Sequence, residues 1–343
     1  MIDFRYHIVS LISVFLALAV GIALGAGPLK ETIGDTLTGQ VEALRAEKDS
    51  LRSEVDVATG QLKNSESYIE AAAPQLLAGA LTDRRVAVIA LGEVTENEVG
   101  AVETQLAAAG AEVSGVVTLT STWTDPGLRS FRQALVSTLV GYLSPAPEGD
   151  EGADVELADA LVQALTGADP AAPDQFSEPA SVLLDLLSTD EKPLVTGADS
   201  VTAPADAIVL LAPQTSSDDK GSTSDDEAAQ VRASLLALVS AAQDGSEGAV
   251  LADGEDGTDA LWRAVLADDE LADSITTVSG TDQISGQVTV PLALNARIGG
   301  TNGHYGFGEG ETVVPTRVEL APVDRTPQPS AGLGGDASDG TAG

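Results

Sequence analysis

The hydrophobic and polar positions form four successive patterns along the chain. An unbroken apolar run is followed by a heptad repeat, then by alternating buried strands and amphipathic helices, and finally by a polar end rich in Pro, Gly, Ser and Asp. These patterns predict an α/β fold class, in which a transmembrane helix and a coiled coil precede a domain with a mainly parallel sheet, not a β-barrel. The predicted bounds are 1–7 for a cytoplasmic N-terminus, 8–29 for the transmembrane helix, 30–73 for the coiled-coil stalk, 82–322 for the extracytoplasmic α/β domain and 323–343 for a disordered acidic tail.

The apolar run from Ile8 to Leu29 contains no charged residue. About 20 apolar residues span the hydrocarbon core of a bilayer. Arg5 precedes the run, so the positive-inside rule predicts a single-pass plasma-membrane anchor with a cytoplasmic N-terminus and an extracytoplasmic bulk. A cleaved signal peptide is the alternative, with a weak A-x-G site at Ala23–Gly25.

Small residues recur every fourth position in this run, at Ala17, Gly21 and Gly25. A small-xxx-small face lets two membrane helices approach closely, which favours self-association of the anchor. The alternative interpretation is that small residues are simply common in bacterial membrane spans.

A heptad repeat follows and predicts a homodimer or a higher homo-oligomer. β-Branched residues at the a positions with Leu at d favour parallel two-stranded coils, and a Lys at an a position disfavours larger bundles. Glu47 at g and Arg52 at the following e are opposite in sign, as a parallel dimer requires. A single amphipathic helix lying on the globular domain is the alternative. The predicted oligomerisation residues are Leu37, Val41, Leu44, Lys48, Leu51, Val55 and Leu62.

The repeat weakens beyond Val55, where Ala58, Gly60 and Ser65 interrupt the seam. The heptad register continues to Ile69 and Ala72, and we expect Pro74 to close the helix, because proline is not tolerated in a helix interior.

The α/β pattern begins with Val86–Leu91, which is apolar on both faces and therefore predicts a buried parallel strand. Thr95 and Glu98 form a capping box that opens a helix to Ala109, and Glu112–Leu119 is the next strand. The same logic predicts strands at Ala207–Ala212, Gly248–Ala252 and Ser274–Val278, helices at Leu128–Leu143, Val155–Leu165, Ala180–Leu187, Glu227–Ala242 and Thr258–Leu266, and loops at Ser144–Ala153 and Gln214–Ser224.

Charge and composition exclude several classes of function and limit the residues available for the core. Seventeen basic against 53 acidic residues give a formal charge of −36, so the chain cannot displace counterions from nucleic-acid phosphates. No Cys is present, so disulfides, thiolate metal sites and thiol nucleophiles are excluded. With 3% aromatic residues, the core must be built from Ala, Val and Leu.

Nucleotide-binding and hydrolase motifs are missing from the sequence. The first strand leads into Gly92–Glu96, which has neither a G-x-G-x-x-G nor a P-loop pattern and carries glutamates that repel phosphate. No G-x-S-x-G elbow occurs. We therefore expect no enzymatic activity, no nucleotide and no cofactor.

The loop Gly303, His304, Tyr305 and Gly306 is the candidate functional loop. His7 lies at the membrane entry, which leaves His304 as the one histidine of the predicted α/β domain. His304 is either a general base or a hydrogen-bonded residue that packs the loop onto the domain.

A dedicated copper site is not expected within one subunit. Copper(I) prefers sulfur ligands and copper(II) prefers imidazole, and the chain offers no Cys, one Met and two His. The acidic loop Asp253–Asp259 is either a weak carboxylate site or a solvated turn, and Thr258 stands where an EF-hand loop needs Gly. No metal ligands are assigned.

Residues 3–25, with the sequence DFRYHIVSLISVFLALAVGIALG, closely resemble the start of the actinobacterial MctB family, usually labelled copper transport outer membrane proteins. Similar features are the strand at Val86–Leu91, the turn Ala109–Ala111 and the loop Gly303–Gly306. The resemblance implies a cell-envelope protein linked to copper homeostasis and copper export. The family also includes members that look like envelope adaptors in septal cell-wall remodelling.

Two functions are therefore open. The first is a membrane-anchored protein that assists copper efflux. The second is a non-enzymatic coiled-coil adaptor that recruits or regulates cell-wall and division enzymes. A weaker third interpretation is an enzyme that uses Asp and Glu at the strand ends. A copper-conducting outer-membrane barrel would need many alternating strands with aromatic girdles, which this pattern does not predict.

Overall fold

The computed structural model describes residues 4–26, 28–147, 149, 152–188, 191–213, 225–254, 257 and 260–328. The chain divides into two compact units, residues 1–67 and 68–343. Parts of the predicted loop at Ser144–Ala153, the predicted loop at Gln214–Ser224, most of the acidic loop after Asp253 and the end of the predicted tail lie outside the described residues.

In the first unit, residues 4–26 and 28–67 are described, and they form two helices: α1, Phe4–Ala26, and the first part of α2, Pro28–Leu77. In the described part of the chain, α1 is the one helix long and apolar enough to cross a membrane. Its Ser13 hydroxyl donates to the Val9 carbonyl at 2.8 Å, so this polar group is satisfied within the helix. Pro28 opens α2, a position where the missing N–H costs nothing.

The expectation that Pro74 closes the second helix is wrong, because α2 continues to Leu77. Pro74 lies in the last turn, and its own carbonyl accepts from the Ala78 N–H at 3.1 Å. Ala73 and Leu77, on either side of the proline, are buried against the α/β domain. This burial offsets the lost hydrogen bond and the ring clash of an interior proline.

The described residues of the second unit form nine strands. Their main sheet is open and mainly parallel, and a mainly parallel sheet was predicted. Seven strands form one sheet in the order β5-β2-β1-β6-β7-β8-β9, in which β5 is antiparallel to β2 and every other pair is parallel. β3 and β4 form a separate hairpin. In chain order the strands are β1 Arg85–Ala90, β2 Glu112–Leu119, β3 Ala168–Asp169, β4 Ala172–Phe176, β5 Val195–Thr196, β6 Ala207–Leu211, β7 Ala249–Asp253, β8 Thr276–Ser279 and β9 His304–Tyr305.

Helices cover both faces of the sheet. The end of α2 and two further helices pack on one face, and most of the remaining helices pack on the other face. The helices of this unit are α3 Glu96–Ala108, α4 Ser121–Thr124, α5 Arg129–Leu139, α6 Ala153–Thr166, α7 Glu178–Ser188, α8 Asp225–Asp244, α9 Leu261–Leu266, α10 Asp269–Ser274 and α11 Ile284–Ile298. α3 and α11 pack beside the end of α2, whereas α4 to α9 pack on the opposite face.

The core consists of two aliphatic layers separated by the sheet. In β1, Ala87 and Ile89 point into the layer under α5 to α8, while Val86 and Val88 point into the layer under α3 and α11. This double burial explains why the strand is apolar at successive positions and confirms the prediction of a buried parallel strand.

The structure agrees with the predicted helix cap but differs from two of the predicted helix bounds. The capping box is confirmed: the Thr95 hydroxyl accepts from the Glu98 N–H at 3.3 Å, and the Glu98 carboxylate accepts from the Thr95 N–H at 2.9 Å. The helix predicted at 258–266 begins only at Leu261, and a 3₁₀ turn on each side shortens the one predicted at 128–143 to Arg129–Leu139.

The polar tail does not leave the domain at residue 323. Arg325 donates to the Asp206 carboxylate at 2.5 Å and to the Asp83 carbonyl at 3.0 Å. The Gln328 N–H donates to the Pro170 carbonyl at 2.7 Å. These long-range contacts place residues 323–328 on the amino-terminal side of the sheet.

Candidate functional site

The candidate loop lies at the edge of the main sheet. His304 and Tyr305 form β9, in register with Thr277 and Val278 of β8. Gly303 precedes them because the Tyr305 ring folds back over it: a Cβ there would be 2.6 Å from the Tyr305 hydroxyl. Burial raises the pKa of the Tyr305 phenol.

Both ring nitrogens of His304 are hydrogen-bonded. Nδ1 lies 2.9 Å from the Thr277 hydroxyl, and Nε2 lies 3.1 Å from the Ala272 carbonyl at the end of α10. Because a carbonyl can only accept, Nε2 carries the proton and, in the neutral ring, Nδ1 accepts from Thr277. Burial lowers the pKa of His304, against the opposing effects of the Ala272 hydrogen bond and the Glu311 charge. The ring therefore joins β9, β8 and α10, and offers no free nitrogen in this arrangement.

Asn302 reinforces the same junction and was missed by the sequence analysis. Its Nδ2 donates to the Ala272 carbonyl at 2.7 Å, and its Oδ1 accepts from the Thr276 hydroxyl at 2.8 Å. Ala272 thus receives both Asn302 and His304. The one sequence signal was the polar residue two positions before the histidine.

Glu311 organises the glycine-rich turn that follows β9. Its Oε2 accepts from the Ser279 hydroxyl at 2.8 Å and from the Gly308 N–H at 2.7 Å. A Cβ on Gly306 would collide with both Ser279 and Glu311, and one on Gly308 would be 2.7 Å from the same carboxylate. The repeated glycines thus let the backbone wrap a carboxylate. The other oxygen, Oε1, is buried without a hydrogen-bond partner among the described residues.

Asp253 is the last residue of β7, and its side chain caps the start of the next helix, α9. It is 1% exposed, and its Oδ2 accepts from the Leu261 and Trp262 N–H groups at 2.8 and 3.3 Å. Residues 255, 256, 258 and 259 of the predicted acidic loop lie outside the described residues. Within the described ranges, no group of three or more His, Asp or Glu side chains is placed to hold a metal ion.

The turn after β1 is acidic and tightly packed. Gly92 faces Pro213 at the end of β6, where a Cβ would be 3.2 Å from the proline ring. Glu93 and Glu96 are exposed beside it, and the Thr95 capping box uses the first donors of α3. An anion here would meet negative charge rather than free N–H groups.

The predicted oligomerisation residues are exposed on the helices of the first unit. A Cβ on Gly21 or Gly25 would meet nothing within 4 Å. Along α2 every predicted residue is exposed, and Leu44, Val55 and Leu51 are 63%, 62% and 54% exposed. Within a single chain, the described residues leave this apolar stripe uncovered.

Comparisons with known proteins agree over nearly the whole chain. The model of a family described as "Copper transport outer membrane protein, MctB" matches residues 1–315. A protein named "Copper transporter MctB" from Mycobacterium tuberculosis (strain ATCC 25618 / H37Rv) is 28% identical over 319 residues, which cover 90% of this chain and 98% of the relative. Its namesake from Mycobacterium leprae (strain TN) is 27% identical over 325 residues, covering 92% and 99%.

Proposed function

This chain belongs to the MctB family, and from that membership we propose that it acts in copper efflux as a membrane-anchored, homodimeric protein of the cell envelope. The relatives named copper transporters, matched over about 90% of the chain, are the observation that carries the proposal. The family label implies a membrane protein, and α1 supplies one helix able to span a bilayer.

We place the anchor in the plasma membrane with its N-terminus in the cytoplasm. Arg5 stands at the start of α1, and positive residues stay on the cytoplasmic side. The α/β domain then lies outside the cell membrane, where copper leaving the cell is found.

Within this proposal the α/β domain contributes by assembly rather than by catalysis or by a resident copper site. His304 is the sole histidine after residue 7, and its two ring nitrogens are already hydrogen-bonded. Copper is the cargo of the system, and its soft ligands would come from other components. We accordingly propose no enzymatic activity.

A strain lacking the gene tests the copper role. We expect lower copper tolerance and higher cellular copper, both restored by the full chain and also by a His304→Gln variant, since His304 is not proposed to bind copper. Unchanged tolerance together with unchanged copper content would remove the proposal. Failure of His304→Gln alone, with normal protein levels, would instead assign the histidine a direct role.

The second candidate function is an adaptor for cell-wall and division enzymes. The heptad stripe on α2 favours it, because a paired helical stalk would present the α/β domain to such enzymes. Septation scored in the same deletion strain separates the two functions. Proximity labelling from the α/β domain should recover wall or division proteins if the adaptor function is correct, and recovery of none would count against it.

A further inference from the structure

The apolar side of α2 is divided between two environments. In the first unit, the residues at heptad positions are exposed to solvent, and Leu62, the last of the predicted seam, is 55% exposed. In the second unit, the helix packs on its own domain: Ile69 is half-buried, and Ala73 and Leu77 are 3% and 0% exposed in the core layer with α3 and α11.

The two apolar parts also follow different spacings. Leu44, Leu51 and Val55 keep the a and d positions of a strict heptad, which makes the narrow seam of a coiled coil. The residues that pack on the domain, Ile69, Ala73 and Leu77, are each four apart, which is the stripe of a helix packed on a globular surface. Leu76, the heptad position that follows Ile69 by seven residues, is 49% exposed and therefore does not belong to this stripe.

Charges beside the exposed seam specify the orientation of a partner. The g positions carry Glu47 and Glu54, and the e positions carry Arg45 and Arg52. A parallel copy pairs g with e, so that each Glu47 meets an Arg52 of opposite sign. An antiparallel copy pairs g with g and e with e, which opposes like charges. The seam is therefore complementary to itself only in the parallel orientation.

The surface at the centre of the seam fits the same arrangement. It is open and is lined by Leu44, Glu47, Lys48, Leu51, Arg52, Val55 and Asp56. A second copy in register inserts its own Leu44 and Leu51 beside these residues and brings a second Glu47 next to Lys48. The one cation at an a position thereby gains a carboxylate partner across the seam.

We propose that a second copy of this chain covers α2 over Leu37–Leu62, parallel and in register, and that the pairing ends before Ile69, where the chain's own domain takes over the apolar face. This rests on the homodimer of the proposed function and defines its contact surface. It does not depend on the copper role.

Disulfide trapping in the full chain tests the contact, and the absence of native Cys makes a clean background. Leu44→Cys and Leu51→Cys are seam positions, Ser53→Cys is the exposed control on the opposite side of the helix, and Ile69→Cys lies beyond the proposed end. Under mild oxidation of the full chain in membranes, we expect disulfide-linked homodimers at 44 and 51 to exceed those at 53 and 69 at least fivefold. Homotypic disulfides form where two Cα atoms lie within about 7 Å, which a parallel seam provides and an antiparallel one does not.

Equal trapping at all four positions would overturn the proposal, and trapping at 69 as strong as at 44 would overturn the stated end. A chain that yields no homodimer at 44 or 51, but is linked there to another protein, would assign the seam to a different partner.

Charge reversal supplies the second measurement. Glu47→Arg in the Leu51→Cys background should reduce trapping several-fold, and adding Arg52→Glu should restore it, because the pair is then re-formed with exchanged signs. Restoration is expected only for parallel strands, and its absence would contradict the orientation. Because trapping needs no copper phenotype, it can fail while the copper role stands, and the reverse also holds.

Discussion

Replacing Asn295 with leucine is expected to destabilise the α/β domain by about 3 kcal/mol. Asn295 lies on α11 and is 1% exposed. Its Nδ2 donates to the Ala80 carbonyl at 2.7 Å and to the Val318 carbonyl at 3.0 Å, and its Oδ1 accepts from the Val318 N–H at 2.7 Å. One side chain thus binds both the turn after α2 and the C-terminal segment.

The expected loss of stability follows from the backbone groups that leucine leaves without a hydrogen-bond partner. Leucine has the same number and branching of heavy atoms as asparagine, so a large cavity is not the cause. Each of the three hydrogen bonds contributes about 1 kcal/mol, and a backbone group left buried without a partner costs about 1–3 kcal/mol. Relaxation of the C-terminal segment toward water recovers part of this cost, which sets our value near the sum of the three bonds.

Urea unfolding of the full chain in detergent, followed by tryptophan fluorescence, measures this loss. Both tryptophans of the chain, Trp123 and Trp262, are buried in the α/β domain, so the signal reports this unit and not the anchor. Asn97→Leu, at an exposed position of α3, is the matched control and should change stability by less than about 0.5 kcal/mol. A loss below about 1 kcal/mol for Asn295→Leu, with an unchanged denaturant slope, would refute the reasoning.

Three further predictions use the same unfolding assay. Burial lowers the pKa of His304, so the unfolded chain binds a proton at this residue more readily than the folded chain does. The stabilisation that this difference provides should be complete above about pH 6.5, the ordinary pKa of histidine, and should be lost as the pH falls toward the lower pKa of the folded chain. A His304→Gln variant should therefore lose less stability than the original chain between pH 7.5 and 5.5. Arg325→Ala removes the pair with Asp206 and should cost about 1 kcal/mol, whereas the exposed Arg317→Ala should be nearly neutral; equal effects would contradict the proposed contact. Thr95→Ala removes the helix cap and should cost about 1 kcal/mol, and an unchanged midpoint would show that the cap is not needed.

The parallel sheet was predictable because its strands carry their own signal. Residues that are apolar on both faces, such as Val86 to Ala90, are required where helices cover both sides of a sheet. The cap at Thr95 was equally local, since the two residues that form it are three positions apart. The order of the strands in the sheet was not predictable from local sequence patterns, because it depends on crossovers between distant segments.

The candidate loop was recognised as a motif but not as a structure. Nothing local predicts that His304 bonds to Ala272 and Thr277, which lie 32 and 27 residues earlier. Gly306 and Gly308 make room for the carboxylate of Glu311, which lies outside the predicted loop. A turn of this kind is built around one side chain, and the pattern of glycines alone does not reveal which side chain it is.

The division of α2 illustrates a limit of heptad analysis. A strict seven-residue repeat drifts by about 20° per heptad relative to a straight helix, so a face that begins as a seam rotates away unless a partner coils around it. From Ile69 the buried stripe advances by four residues to Ala73 instead of by three to Ala72, the next heptad position, and Ala72 is only half-buried. That one-residue change of phase is the point at which a helix coiled with a partner becomes a helix packed on its own domain. A sequence pattern can show the change of phase, but assigning the cause requires knowing which surface covers Leu77.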